Sequence, residues 1–252
     1  MEMIHHAKSG HIGSSLSCVD ILAVLRFDQM RWLPAAPERD VFVLSKGHAA
    51  PAWYAALIEG GDLDPGLAAG LRTLDSPLQG HPDRTRCEFV DASTGALGQG
   101  LSIAVGRAQA RGLQPGDTHV YCLVGDGECQ EGQVWEALLY AGARRTANLT
   151  LIIDANGRQS DGLVDETVQL GPLAEKLAAF HWRVMEVDGH SHRSLREALA
   201  TARADRSGPC AVIAHTRKGY LAPGRVALDG AHSGLLDPAG LREALDLLGA
   251  AA

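Results

Sequence analysis

Short apolar runs recur along the chain at 41–44 (VFVL), 119–124 (HVYCLV), 149–153 (LTLII), 182–187 (WRVMEV) and 210–214 (CAVIA). Each has strand length, and short continuous apolar runs are the pattern of strands covered on both faces. Between them, apolar positions fall at helical spacing over roughly 51–60, 98–112, 131–144, 171–180 and 191–204. A further helix is expected near the N-terminus over 16–27, and another over 238–248. Asp161, Ser191 and Asp237 stand where caps or turn formers belong, because their short side chains can accept from a first-turn amide. Strands alternating with helices predict an α/β fold, a doubly wound and mostly parallel sheet with helices on both faces. No internal repeat or low-complexity linker interrupts the 252 residues, so one domain over 1–252 is expected, with the closing GAAA as a fraying end.

Composition narrows the function classes. The net charge is −7, which argues against nucleic acid or a membrane surface as the main partner. No apolar stretch approaches the ~20 residues of a membrane span, and the polar start MEMIHHAKSGHIG lacks the apolar region of a signal peptide. The five cysteines, Cys18, Cys87, Cys122, Cys129 and Cys210, are odd in number and none has CxxC spacing. Neither a disulfide framework nor a zinc site is suggested, and a reducing cytoplasm is the simplest compartment. Trp53, Trp135 and Trp182 read as core or interface aromatics, and the basic residues between 183 and 207 as a solvated helix face.

The chemistry concentrates at strand ends. In open α/β sheets, ligands bind beyond the carboxyl ends of the strands. Asp126, between Gly125 and Gly127, follows one apolar run, and Asn156 follows another thirty residues later. A carboxylate and an amide oxygen are hard donors that suit Mg²⁺ or Ca²⁺, whose remaining ligands come from water, backbone carbonyls and phosphates. The glycines allow backbone to approach a phosphate, and a helix starting near Gln130 would offer its positive end to an anion. Either half alone is an ordinary turn. Together, each after a strand and the first before a helix, they predict a metal-bridged diphosphate site.

GDG followed about thirty residues later by N is the thiamine diphosphate motif. AKSGHIGSSLS (7–17), LSKGHAAPAWYAAL (44–57), QGHPDRT (79–85), ASTGALGQGLSIAVG (92–106) and GDGECQEGQVWEAL (125–138) closely resemble, in order, the N-terminal part of transketolase. They look most like the separate N-terminal subunit of two-chain transketolases, and the likeness is collinear from about residue 3 to about 235. The resemblance implies thiamine diphosphate as cofactor with Asp126, Asn156 and the main-chain carbonyl of Arg158 as metal ligands. Family members often carry an apolar residue at 158, which only a backbone ligand tolerates. It further implies Gly127 against the diphosphate, Gly95 and Leu97 at the cofactor's pyrimidine end, and Glu131 in a hydrogen-bond network between paired sites.

The histidines follow the same resemblance. His48 matches the one that touches the diphosphate, and His11 and His81 those near the donor hydroxyls and the reacting carbonyl. His232, in GAHSG, matches a fourth, although its flanks VALDGAHSGLLD depart from the family's loop. His5, His6, His119, His181, His190, His192 and His215 are read as surface or hydrogen-bonded core residues, and Cys129 as lacking an adjacent base.

The implied reaction moves a two-carbon ketol unit from a ketose phosphate to an aldose. The glutamate that activates the cofactor's ring lies, in the family, in a further domain, and neither Glu128 nor Glu136 replaces it by motif. The chain is therefore expected to need a C-terminal transketolase subunit, the pyrimidine-binding chain, in a heterotetramer of two and two. Relatives usually carry a further helical turn or more before EMIHHAKSG, so this chain starts late relative to them. Two other enzymes share the cofactor motif. 1-Deoxyxylulose-5-phosphate synthases usually have a VGHQ-like segment in place of SKGHAA, and 2-oxo acid dehydrogenase α chains lack both KSGHIG and SKGHAA. A non-catalytic, cofactor-binding regulatory subunit is the alternative from another class, against which stands the intact set of Asp126, Asn156 and histidines.

Overall fold

In the computed structural model, which describes residues 1–33, 36, 38–113 and 116–249, the strands are β1 (Val41–Leu44), β2 (Val120–Gly125), β3 (Leu149–Ala155), β4 (Arg158–Gln159), β5 (Gly162–Leu163), β6 (Arg183–Asp188), β7 (Cys210–His215), β8 (Tyr220–Ala222) and β9 (Arg225–Val226). The helices are α1 (Glu2–Ala7), α2 (Ile12–Ser17), α3 (Val19–Val24), α4 (Ala50–Glu59), α5 (Gln99–Gly112), α6 (Gly132–Ala143), α7 (Val164–Thr167), α8 (Leu173–Ala179), α9 (His192–Ala204) and α10 (Pro238–Leu247). Positions 250–252 of the expected fraying end lie outside the described residues.

The main sheet has the order β1-β2-β3-β7-β6, and every neighbouring pair is parallel. Side chains alternate across a strand, and the two faces feed two cores. Phe42, Leu44, Tyr121, Leu123, Ile152 and Val212 pack with Leu22, Trp53, Leu57 and Leu199, from α3, α4 and α9. Val41, Val43, Cys122, Val124, Leu151 and Ile153 pack with Leu101, Val134, Leu138 and Leu177, from α5, α6 and α8. This is the doubly wound α/β sheet that the continuous apolar runs predict, because a strand covered twice has no polar face.

The sequence-based boundaries shift where side chains compete with the helix. The helix expected over 16–27 starts at Ile12, breaks at Cys18 and ends in a π-type turn over Leu25–Gln29. At the break, Ser17 Oγ and Cys18 Sγ both donate back to the Ser14 carbonyl, at 3.1 and 3.3 Å, the local bonding that bends and interrupts helices. The helix expected near Gln130 starts at Gly132, and a 3₁₀ turn over Gly127–Gln130 stands between it and Asp126. Ser191 and Asp237 cap α9 and α10, accepting from Ser194 N and Gly240 N, and Asp161 sits in the turn between β4 and β5.

One charged residue departs from the solvated face expected over 183–207. Arg203, 19% exposed, turns inward to the fully buried Asp40, with Nη1–Oδ2 at 2.6 Å. Asp40 also accepts from the amides of Arg31 and His119, at 2.8 and 2.9 Å. This network joins the amino-terminal ends of β1 and β2 to the end of α9.

Candidate active site at the carboxyl ends of the strands

At the opposite pole, the segments leaving β1, β2, β3 and β7 surround a cleft of about 350 Å³. His11, His48, His81, Gly95, Leu97, Gly125, Asp126, Gly127, Glu131, Asn156, Arg158 and His232 all line it. The structure therefore brings together every residue singled out in the sequence for cofactor, metal or substrate.

β2 and β3 are neighbours, with Gly125 in register with Asp154, so the residues just past their ends, Asp126 and Asn156, share the crevice. Asp126 is buried and accepts from Gly127 N at 2.9 Å through Oδ1 and from Gly157 N at 2.6 Å through Oδ2. Burial, followed by the nearby Asp154 carboxylate, pushes its pKa up to about 6, against the pull of those two amides and of Lys46. Asn156 Oδ1 accepts from Arg158 N at 3.1 Å, and its Nδ2 donates to Asp154 Oδ2 at 3.1 Å. The Arg158 carbonyl, expected as a metal ligand, accepts from Lys218 Nζ at 2.6 Å, and a carbonyl has a second lone pair for another partner.

This donor set fits a hard divalent cation. It offers one carboxylate that forms no ion pair among the described residues, one amide oxygen and one backbone carbonyl, and the remaining oxygens would come from water and phosphate. Among the described residues no group of three His, Cys, Asp or Glu could hold a metal by itself, so a soft-ligand or all-carboxylate centre is not built here. The helical contribution differs from the expectation. The 3₁₀ turn separates Asp126 from α6, whose N-cap, Glu131, reaches the cleft instead.

In and behind the cleft wall lie further charged residues to which the sequence reading gave no role: Lys46, Glu128 and Lys218 line it, and Asp154 lies behind them. Asp154, fully buried at the end of β3, is ion-paired with the equally buried Lys46 and accepts from Ser17 Oγ at 2.6 Å and from Thr216 Oγ1. Burial opposes its charge, but the Lys46 ammonium and these hydrogen bonds hold its carboxyl below the usual range. Glu128 is buried too, accepts from Ser45 Oγ and takes the amides of Gly98 at 2.9 Å and Gly125 at 3.1 Å. It pins the glycine turns on both sides of the cleft. Lys218 Nζ also donates to His232 Nδ1 at 3.0 Å. A signal for Asp154 existed: a charged residue closing the apolar run LTLIID is rarely buried without a partner.

The histidines form one cluster. The His11 ring lies 5.2 Å from those of His48 and His232 and 6.3 Å from that of His81, with His48 and His232 at 4.9 Å. An ammonium only donates, so His232 Nδ1 accepts from Lys218 and its ring proton resides on Nε2. Desolvation, then Arg72, lowers His11 to about 4, and burial, then Lys218, lowers His232 to about 4. Burial, then Lys46, lowers His48 strongly, and partial desolvation, then Arg72, lowers His81. The four rings are therefore neutral at physiological pH, able both to accept from and to donate to hydroxyl and carbonyl groups. Cys129 is buried and its thiol pushed well up by desolvation, which leaves it inert beside the site.

The family described as "Transketolase, thiamine diphosphate binding domain" matches residues 1–251. The chain is 40% identical to "6-deoxy-6-sulfo-D-fructose transketolase subunit SqwG" of Clostridium sp. (strain MSTE9), over 87% of this chain and 81% of that protein. It is 36% identical to one of the subunits of the apulose-4-phosphate transketolase of Phocaeicola vulgatus, over 87% of this chain and 79% of that one. The Campylobacter jejuni transketolase structure superposes with a TM-score of 0.88 at 31% identity, over 98% of this chain and 40% of the other. The chain thus spans most of each subunit relative but well under half of a full-length transketolase. By family match, relatives and fold, it belongs to the transketolases, thiamine diphosphate-dependent transferases, and carries their thiamine diphosphate-binding domain.

Proposed function

We propose that this chain is the diphosphate-binding subunit of a transketolase that transfers a two-carbon ketol unit from a ketose phosphate to an aldose. The observation that carries the reading is the convergence, in one cleft, of Asp126 and Asn156 from neighbouring strand ends with four neutral histidines. Thiamine diphosphate, when bound, supplies a carbon nucleophile and then an electron sink for the ketol fragment. Asp126, Asn156 and the Arg158 carbonyl would hold Mg²⁺ or Ca²⁺ against its diphosphate, with Gly125, Gly127 and His48 alongside. Gly95 and Leu97 would meet the pyrimidine end, and Glu131 would join the network toward a second site.

His11 and His81 lie on the donor side, where neutral imidazoles can take a hydroxyl proton or donate to the carbonyl oxygen. His232, fixed by Lys218, supplies a further proton carrier. The pyrimidine-binding domain and its activating glutamate come from a C-terminal partner subunit in a cytoplasmic heterotetramer. In support, two relatives of similar span are themselves named as subunits. No helix is long and apolar enough to cross a membrane among the described residues.

The test is ketol transfer by the purified chain with thiamine diphosphate and Mg²⁺, alone and with a pyrimidine-domain chain added. The donor panel starts from the sugars for which the two subunit relatives are named, 6-deoxy-6-sulfo-D-fructose and apulose-4-phosphate. Activity only in the mixture is expected. Robust turnover by the chain alone overturns the partner requirement, and failure to bind the cofactor in the mixture overturns the whole reading.

A further inference from the structure

Arg72 lies outside the cleft lining yet touches both loops that carry the donor-side histidines. Its Nη1 donates to Ser9 Oγ at 3.1 Å, two residues before His11. Its guanidinium lies flat against Gly80, one residue before His81: a Cβ at Gly80 would sit 2.9 Å from Cζ and Nε and 3.1 Å from Nη2. Nε is buried without a hydrogen-bond partner, and among the described residues no carboxylate pairs with the group. The backbone is unusual as well. Arg72 has φ +64°, a left-handed conformation that L residues rarely adopt, and its amide is tied to the Leu78 carbonyl at 2.8 Å. A strained, half-buried and unpaired cation persists only where its surroundings over-determine it.

We propose that Arg72 is a positioning residue for the donor side of the site: its guanidinium braces the loops of His11 and His81 against each other and sets an uncompensated positive charge behind both rings. The inference rests on the ketol-transfer reading for its purpose, but not for its measurement. Arg72 is the first electrostatic contributor, after desolvation, to the low pKa of both His11 and His81. The other titratable groups facing His11 are His48, His81, His232 and Lys218. A positive charge behind an imidazole disfavours its protonated form, so both rings stay available as acceptors for sugar hydroxyls. The flat fit on Gly80 and the bond to Ser9 use the planar fork, which an ammonium cannot reproduce.

The experiment titrates the histidine ring signals of the chain by NMR, in the wild type and in Arg72→Met and Arg72→Lys, with His11→Asn and His81→Asn for assignment. Arg72→Met should raise the transitions of both His11 and His81, by roughly half a pH unit or more. Arg72→Lys, which keeps the charge, should leave both near their wild-type positions. In the assembled enzyme, the acid limb of kcat/KM for the donor should move up in Arg72→Met. In Arg72→Lys it should stay in place while donor KM rises, because the brace is lost. Wild-type titration in Arg72→Met, or equal shifts in the two variants, overturns the proposal. Should Arg72→Met fail to fold, Arg72→Lys decides: unchanged titration with raised KM supports it, and unchanged KM overturns it. The titration needs no turnover, so a chain inactive in ketol transfer still answers the question.

Discussion

Asp126 is a buried carboxylate that accepts two backbone amides and, among the described residues, forms no ion pair. Replacing it by asparagine keeps the shape and removes the charge a divalent cation needs. Asp126→Asn should weaken thiamine diphosphate binding in Mg²⁺ by more than the ~10–100-fold lost when a group supporting a metal ligand is removed. Calorimetric titration of the assembled protein measures it, with circular dichroism as the control for folding. The histidines predict a pH dependence of the chain itself. His11 and His232 titrate near 6.5 when unfolded and near 4 when folded. Between those values the unfolded chain binds more protons, so these histidines, with His48 and His119 lowered in the same sense, make stability fall as pH drops from about 6.5 toward 4, while Asp126, raised to about 6, offsets part of that slope. Melting temperatures across pH 4–8 should show this slope, and His11→Asn should make it shallower.

At the scale of elements, the cleft depends on α2 lying close to the segment that carries His232. Gly13, in the first turn of α2, leaves no room for a side chain, since a Cβ there would collide with the Ala231 carbonyl, and its own carbonyl accepts from Gly219 N at 2.9 Å. Gly13→Ala should therefore push the 227–232 segment outward. The expected cost is about 1–3 kcal/mol, typical of overpacking, together with weaker cofactor binding, read by chemical denaturation and calorimetry on one preparation. The strands were legible because VFVL, HVYCLV and CAVIA are continuous apolar runs, and Asp126 and Asn156 because the chain turns at glycine right beside them. The break at Cys18 and the 3₁₀ turn after Asp126 were not. Both arise from side chains bonding to nearby backbone, which leaves no trace in hydrophobic periodicity. Lys218 was missed for a related reason: RKGY reads as a surface turn until β7 is known to be a central strand, which places that turn over the cleft.

On the scale of the whole molecule, the charged groups divide between two poles of the sheet. The carboxyl-end pole holds Asp126, Asp154, Lys46 and Lys218 around the cleft. The amino-end pole holds Asp40, where Arg203 and two amides meet it in full burial. Asp40→Asn would take from the half-buried Arg203 the carboxylate it meets at 2.6 Å and leave it only the longer pairing with exposed Asp117, at 3.6 Å. It should cost roughly 3–5 kcal/mol of stability, as breaking a buried pair does, yet leave cofactor affinity unchanged, a dissociation measurable by pairing thermal melts with cofactor titration. That division has a practical side. Asp117, exposed just before β2, meets Arg203 and Arg206 at the amino-end pole, one sheet-length from the cleft. A fluorophore, surface tether or fused protein attached there would report on or immobilise the chain while the cleft at the other end stayed open.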